Sequence, residues 1–136
     1  MDLSLDRPES FLFVRRTARD RITVVDRDIT VSFLLAPDRM IEGWPASDAR
    51  SLGPDLAEAF FELQPELVLL GTGERQSFPP ADFLAAFLRR GVGIEVMDNA
   101  AAARTYDLLA GEGRRVVAGF ILPGHPAAPE PQRAGR

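Results

Sequence analysis

The stretch ELVLLGTGERQSFPPADFLAAFLRRGVGIEVMDN, residues 66–99, contains the pattern that decides the fold. It opens with ELVLLG, a continuous apolar run with the length of a strand that is covered on both faces. A helix follows, beginning at the paired prolines and ending at Gly91. One side of that helix is an apolar stripe: Phe83, Leu84, Phe87 and Leu88. The segment GIEVM then predicts a second buried strand, so the stretch reads as strand, helix, strand.

The segments on either side extend this alternation. Upstream, PDLAEAFFEL predicts a short helix that begins at Pro54. Its apolar residues have helical spacing: Leu56, Ala59, Phe60 and Leu63. Downstream, Asp98 can cap a helix over residues 99–112, and RRVVAGFIL predicts the closing strand. A β-α-β-α-β order implies parallel strands joined by helical crossovers.

The first third of the chain has a different pattern. FLFVRRT, RITVVD and ITVSFLLAP are short segments rich in β-branched and aromatic residues, and MIEGW predicts another short strand. A turn at residues 26–28, flanked by Asp26 and Asp28, separates the second segment from the third. The alternating apolar positions on either side of this turn predict an antiparallel hairpin with one buried face.

Together these segments predict an α/β fold with a mostly parallel central sheet, helices on its faces and an N-terminal antiparallel hairpin. At 136 residues, we expect one domain over residues 1–123. The remaining residues, 124–136, are rich in proline and alanine, which predicts a disordered tail.

Composition excludes several classes of function. The formal net charge of −4 gives no electrostatic support for nucleic-acid binding. The chain has no cysteine and only one histidine, His125, so we expect no metal site and no thiol chemistry. All of its 16 basic residues are arginine, which excludes a P-loop lysine. We expect no cofactor. The N-terminus lacks a signal-peptide pattern and no apolar run is long enough to span a membrane, so we expect a cytoplasmic protein.

The most informative candidate site is a crevice beyond the carboxyl ends of two predicted strands. Gly71–Arg75 follows one strand and Asp98–Asn99 follows the other, and both loops would open onto the crevice if the strands are neighbours. Backbone amides, the Thr72 hydroxyl and the Arg75 guanidinium could hold a carboxylate or phosphate there. The negative charges of Glu74 and Asp98 would oppose the binding of such an anion. The dinucleotide fingerprint fails because Gln76 stands at its third glycine position, and the glycines could equally serve only a tight turn.

Other polar residues are weaker candidates for a functional site. Glu95, on a strand predicted to be buried, could be a general acid or base, or could form an ion pair with an arginine. The candidate arginines are Arg104, Arg114 and Arg115. Ser77 and Thr105 lack a base to activate a hydroxyl. Arg104 and Asp107 are spaced for an exposed ion pair on one helix.

Two segments, LVLLGTGERQSFP and GVGIEVMDNAAAARTYDLLAGEGRRVVAGFIL, with GW upstream, resemble a family of small proteins of unknown function. The family includes mitochondrial NADH dehydrogenase (complex I) assembly factor 3 and an adipogenesis-associated domain protein. The resemblance implies a three-layer α/β/α fold around a mixed sheet and no established catalytic activity. The matching motif positions are Gly71, Thr72, Gly73, Glu95, Met97, Asp98, Ala102, Arg104, Thr105, Tyr106, Glu112 and Arg114.

Three positions depart from the family pattern. Asn99 stands where we expect threonine, Ala103 where cysteine is common, and Asp107 where asparagine is usual. The missing cysteine excludes thiol chemistry for this member, and Asp107 adds a charge beside Arg104.

The sequence supports three hypotheses of function, in order of preference. The first is a non-enzymatic interaction or assembly factor with a protein partner, similar to the complex I assembly factor. The second is a protein that binds a small anion in the crevice, and the third is an enzyme using Glu95 or Asp98 as acid or base. No residue is assigned a catalytic role. The candidate residues for ligand or partner binding are Gly71, Thr72, Gly73, Arg75, Glu95, Met97, Asp98, Asn99, Arg104 and Thr105.

Overall fold

The computed structural model describes residues 10–124. The predicted tail lies outside these residues except for Gly124, and His125 lies outside them too. The strands are β1 (Val14–Thr17), β2 (Ile22–Val24), β3 (Arg27–Ile29), β4 (Phe33–Leu35), β5 (Met40–Glu42), β6 (Leu67–Gly71), β7 (Gly93–Met97) and β8 (Val116–Phe120). The α-helices are α1 (Glu58–Phe61), α2 (Ala81–Leu88) and α3 (Asn99–Gly111), with short 3-10 helices at Ala49–Ser51 and Pro54–Ala57.

The central sheet has five strands in the order β5-β4-β8-β6-β7. β6 lies between β8 and β7 and is parallel to both, whereas β4 is antiparallel to β8 and to β5. The α/β fold with a mixed sheet is therefore confirmed. The run Val68–Leu70 is fully buried, as its continuous apolar pattern indicated.

A second, three-stranded antiparallel sheet has the order β1-β2-β3. The predicted hairpin is its β2–β3 pair, with Ile22 opposite Ile29. The turn, however, is one position earlier than expected. Val25 has φ +56° and makes the turn with Asp26, so Asp28 lies within β3 and accepts a hydrogen bond from the Thr23 hydroxyl at 2.6 Å.

The segment ITVSFLLAP divides between the two sheets instead of forming one strand. Its first residue ends β3, whereas Phe33–Leu35 forms β4 of the central sheet. Ser32, which is buried, holds the break: its hydroxyl donates to the Ala46 carbonyl at 2.8 Å and accepts from the Leu122 amide at 2.9 Å. A polar residue inside an apolar run is thus satisfied by two distant segments.

Two apolar clusters cover opposite faces of the central sheet, which produces three layers. On one face Phe60 of α1 meets the rings of Trp44 and Phe87, with centroids 5.2 Å apart in each case. On the other face α3 and the three-stranded sheet pack together around Tyr106, whose hydroxyl donates to the Leu12 carbonyl at 2.7 Å. Burial raises the pKa of Tyr106 far above its ordinary value.

Two side chains that were expected to be buried are exposed. β7 is an edge strand and Glu95 is exposed, because an edge strand has a neighbour on one side only. Leu88 is 68% exposed, since the apolar stripe of α2 extends past the surface that the sheet covers. The short helix predicted from Pro54 is confirmed: it begins there as a 3-10 helix and continues into a single α-turn, α1.

Candidate functional site

The two predicted loops lie side by side because β6 and β7 are adjacent and in register, with Gly71 opposite Met97. Hydrogen bonds join the loops directly. The Thr72 amide donates to the Met97 carbonyl at 3.0 Å, and the Asn99 amide donates to the Gly73 carbonyl at 2.8 Å. The crevice is therefore closed at its base by main-chain contacts.

Asn99 is the centre of this arrangement and is only 5% exposed. Its Oδ1 accepts from the Gly73 amide at 3.1 Å, and its Nδ2 donates to the Ile121 carbonyl at 3.0 Å. One side chain thus ties the end of β6 and the residue after β8 to the first turn of α3. We call Gly71–Gly73, Asn99 and Ile121 the Asn99 junction.

Two of the groups expected to hold an anion, the Thr72 hydroxyl and the Gly73 amide, form hydrogen bonds within the protein. The Thr72 hydroxyl donates to the Arg75 carbonyl at 2.6 Å and accepts from the Ser77 amide at 3.0 Å. The Gly73 amide bonds to Asn99, as described above. The Asp98 carboxylate accepts from the Ala101 amide at 2.8 Å, which places a negative charge at the N-terminus of α3. These bonds build the loop itself and leave fewer donors for a ligand.

A cavity of about 250 Å³ lies above the junction, but its cationic residue is not the predicted one. Its lining residues are Thr17, Ala18, Arg19, Gly73, Glu74, Asp98, Asn99 and Ala100. Arg75 is exposed and absent from this lining, whereas Arg19, from the β1–β2 turn, approaches Glu74 at 3.8 Å. Arg19 could not be identified from the sequence, because no local pattern shows that the β1–β2 turn lies over the loop that follows β6.

The remaining candidate residues are more scattered. Glu95 is exposed on the edge strand, and two of its three possible partners pair elsewhere. Arg114 approaches Glu66 at 3.6 Å and Arg115 approaches Asp38 at 2.7 Å. Arg115 lowers the pKa of the Asp38 carboxyl. Met97 and Thr105 are half-buried, and Met97 packs against the α3 side of the sheet.

Arg104 lines a second cavity, of about 210 Å³, between β1 and α3. We call this cavity the arginine groove; its lining residues are Val14, Arg15, Arg16, Thr17, Ala100, Ala103, Arg104 and Asp107. The predicted Arg104–Asp107 ion pair is absent, because the Asp107 carboxylate faces β1 and accepts from the Val14 amide at 2.8 Å. Burial raises the pKa of Asp107. Arg15 and Arg16 are binding candidates that sequence reasoning did not identify.

Within residues 10–124, no group of three or more acidic, histidine or cysteine side chains is arranged to hold a metal ion. No helix in the same residues is long and apolar enough to cross a membrane.

Curated proteins similar to this chain come from a bacterium and from vertebrates. A "13 kDa major membrane protein" of Francisella tularensis is 24% identical over 117 residues, covering 85% of this chain and 95% of the relative. Human NADH dehydrogenase [ubiquinone] 1 alpha subcomplex assembly factor 3 is 32% identical over 91 residues, covering 65% of this chain. The matched region spans about half, 49%, of the human assembly factor.

Solved structures share the fold across nearly the whole chain. The NMR structure of a Xanthomonas campestris protein is 43% identical with a TM-score of 0.78, covering 94% of this chain and 97% of that protein. A Mth938-like domain from Bordetella pertussis is 27% identical with a TM-score of 0.74, covering 92% of this chain and 94% of that domain. A family described as "Protein of unknown function (DUF498/DUF598)" matches residues 14–121, and the chain belongs to that family.

Proposed function

We propose that this protein is a non-enzymatic interaction factor that takes part in the assembly of a larger protein complex. Several vertebrate relatives carry the name NADH dehydrogenase [ubiquinone] 1 alpha subcomplex assembly factor 3, and the matched segment includes about half of each of the mammalian ones. A respiratory complex is accordingly the first partner to test. Because the match covers only part of those proteins, the role in assembly is a proposal for this chain.

The observation that carries this proposal is the contrast between the crevice and the groove. In the crevice, the Thr72 hydroxyl, the Gly73 amide and the Asp98 carboxylate bond within the protein and hold the loops in place. In the arginine groove, Arg16 and Arg104 are exposed and form no ion pair with any residue between 10 and 124. Exposed arginines are among the residues that contribute most at protein interfaces.

The test is affinity capture of the tagged protein from its own organism, with mild crosslinking and mass spectrometry. We expect subunits of NADH dehydrogenase or of another defined assembly, and we expect Arg104→Glu to lose them because it reverses the charge in the groove. Arg89→Glu is the matched control: Arg89 is exposed at the C-terminal end of α2, which packs on the opposite face of the central sheet from α3 and the groove.

Two results would contradict the proposal. The tagged protein could recover no assembly above a tag-only control, which would remove the case for an assembly role. Alternatively, the purified protein could convert a small-molecule substrate, and this catalytic activity could be lost in Glu95→Gln or Asp98→Asn. That result would favour the enzyme hypothesis.

A further inference from the structure

β1 contains an irregularity that changes where its arginines point. Val14 is opposite Val24 and Arg16 is opposite Thr23, so two steps along β1 match one step along β2. This is a β-bulge at Arg15. In a regular strand, consecutive side chains point to opposite faces, whereas a bulge can redirect one of them. Here both Arg15 and Arg16 line the same groove.

The opposite wall of the groove comes from one side of α3. Ala100, Ala103, Arg104 and Asp107 have the spacing of neighbours on a helix surface. The two alanines leave the groove open because their side chains are short, and Arg104 places a third guanidinium across from β1. Three positive charges and one carboxylate thus surround a cavity of about 210 Å³, in a protein whose formal net charge is −4.

The hydrogen bonds of the groove leave positive charge available. Arg15 donates through Nε to the Val25 carbonyl at 2.7 Å, which fixes its side chain beside the groove. Asp107 is bonded to the Val14 amide at 2.8 Å, and burial raises its pKa, so this carboxylate serves the β1–α3 contact. Within the described residues, Arg15, Arg16 and Arg104 form no ion pair.

The groove lies next to the cavity above the Asn99 junction, since both are lined by Thr17 and Ala100. That neighbouring cavity carries Glu74 and Asp98. A flat, uniformly anionic surface such as a lipid bilayer would face those carboxylates as well as the arginines. A narrow segment can place its acidic side chains at the arginines alone.

We propose that the arginine groove binds an extended acidic segment of a partner protein, with glutamate or aspartate side chains at Arg15, Arg16 and Arg104. Arginine suits this task because its planar guanidinium can form two parallel hydrogen bonds with one carboxylate. The inference rests on the proposed function and names the chemistry of the partner.

The test uses a fluorescein-labelled peptide of alternating glutamate and alanine, about ten residues long, and measures its binding by fluorescence anisotropy. We expect the Arg16→Ala, Arg104→Ala double variant to bind about fivefold more weakly than wild type, since each exposed charge pair contributes a fraction of a kcal/mol. The Arg50→Ala, Arg89→Ala double variant removes the same two positive charges from exposed sites elsewhere and should bind like wild type. A peptide with glutamine in place of glutamate should not bind.

The outcomes separate this inference from the assembly role. Equal weakening by both double variants would mean that overall charge alone attracts the peptide, and would overturn the inference. Displacement of the peptide by equimolar inorganic phosphate would also overturn the inference, because the groove would then bind a simple anion. Sedimentation of the protein with phosphatidylglycerol vesicles would overturn it too, if the Arg16→Ala, Arg104→Ala double variant no longer sediments with them. If affinity capture still recovers an assembly in any of these cases, the proposed function stands, and the partner binds at a surface other than the arginine groove.

Discussion

Replacing Asn99 with alanine is expected to lower the free energy of unfolding by about 3 kcal/mol. The side chain is buried and bonds to the Gly73 amide at 3.1 Å and the Ile121 carbonyl at 3.0 Å. Its removal leaves the Gly73 amide and the buried Ile121 carbonyl without their partner, and each such group costs about 1 to 3 kcal/mol when it stays unpaired. Urea denaturation monitored by circular dichroism measures the difference.

Gln76→Ala is the control for this substitution. Gln76 also uses a side-chain amide to reach a main-chain carbonyl, that of Val96 at 2.9 Å, but it is exposed and water can replace it. We expect a loss below about 1 kcal/mol. Equal losses for the two variants would show that Asn99 does not hold the strand ends together.

Gly71→Ala is expected to cost about 3 kcal/mol through steric overlap alone. A methyl group at this position would collide with Asn99 Oδ1 and lie 3.1 Å from Phe120 Cδ1 and 3.3 Å from Ala102 Cβ. The backbone there is ordinary strand, so the loss would measure how closely α3 and β8 approach β6. Thermal and urea unfolding of the variant provide the value.

Gly73→Ala separates close packing from backbone conformation. Gly73 has φ +102°, a region that favours glycine, and nothing lies within 4 Å of the position of its missing Cβ. We expect a smaller loss, about 1 kcal/mol, from backbone strain. A larger loss for Gly73→Ala than for Gly71→Ala would contradict the close-packing explanation of Gly71.

These glycines show what the sequence could predict and what it could not. The parallel β6-α2-β7-α3-β8 part could be predicted because β6 and β8 are continuous apolar runs, β7 is interrupted only by Glu95, and each helix has its own start and stop signals. The glycines could be assigned to a strand end. However, the role of Gly71 in making room for Asn99 depends on a contact between residues 28 positions apart in the chain, which no local pattern shows.

The errors have a common physical origin in long-range pairing. Glu95 was expected to be buried because its neighbours in the chain are apolar, but strand order decides exposure and places β7 at the sheet edge. Asp107 was expected to pair with Arg104 on one helix, yet the packing of β1 against α3 brings the Val14 amide to it at 2.8 Å. Neither strand order nor that contact is encoded in a local pattern.

The binding surface illustrates the same limit. Arg104 could be selected from its motif, but Arg15 and Arg16 would alternate between two faces in a regular strand. The bulge in β1 brings both to the groove, and a bulge depends on the partner strand as much as on the bulged one. Arg19 likewise lines the crevice only because the β1–β2 turn lies over it.

We propose that the Gly-Thr-Gly loop is a structural junction and that a partner binds elsewhere on the surface. Amide hydrogen exchange, measured by NMR on the free protein, tests this proposal. The amides of Thr72, Gly73 and Asn99 bond to Met97, Asn99 and Gly73 respectively, so we expect them to exchange as slowly as those of Val68–Leu70 in β6. Exchange of these three amides as fast as that of the exposed Glu74 would contradict the claim, because it would identify a mobile loop of the kind that closes on a ligand.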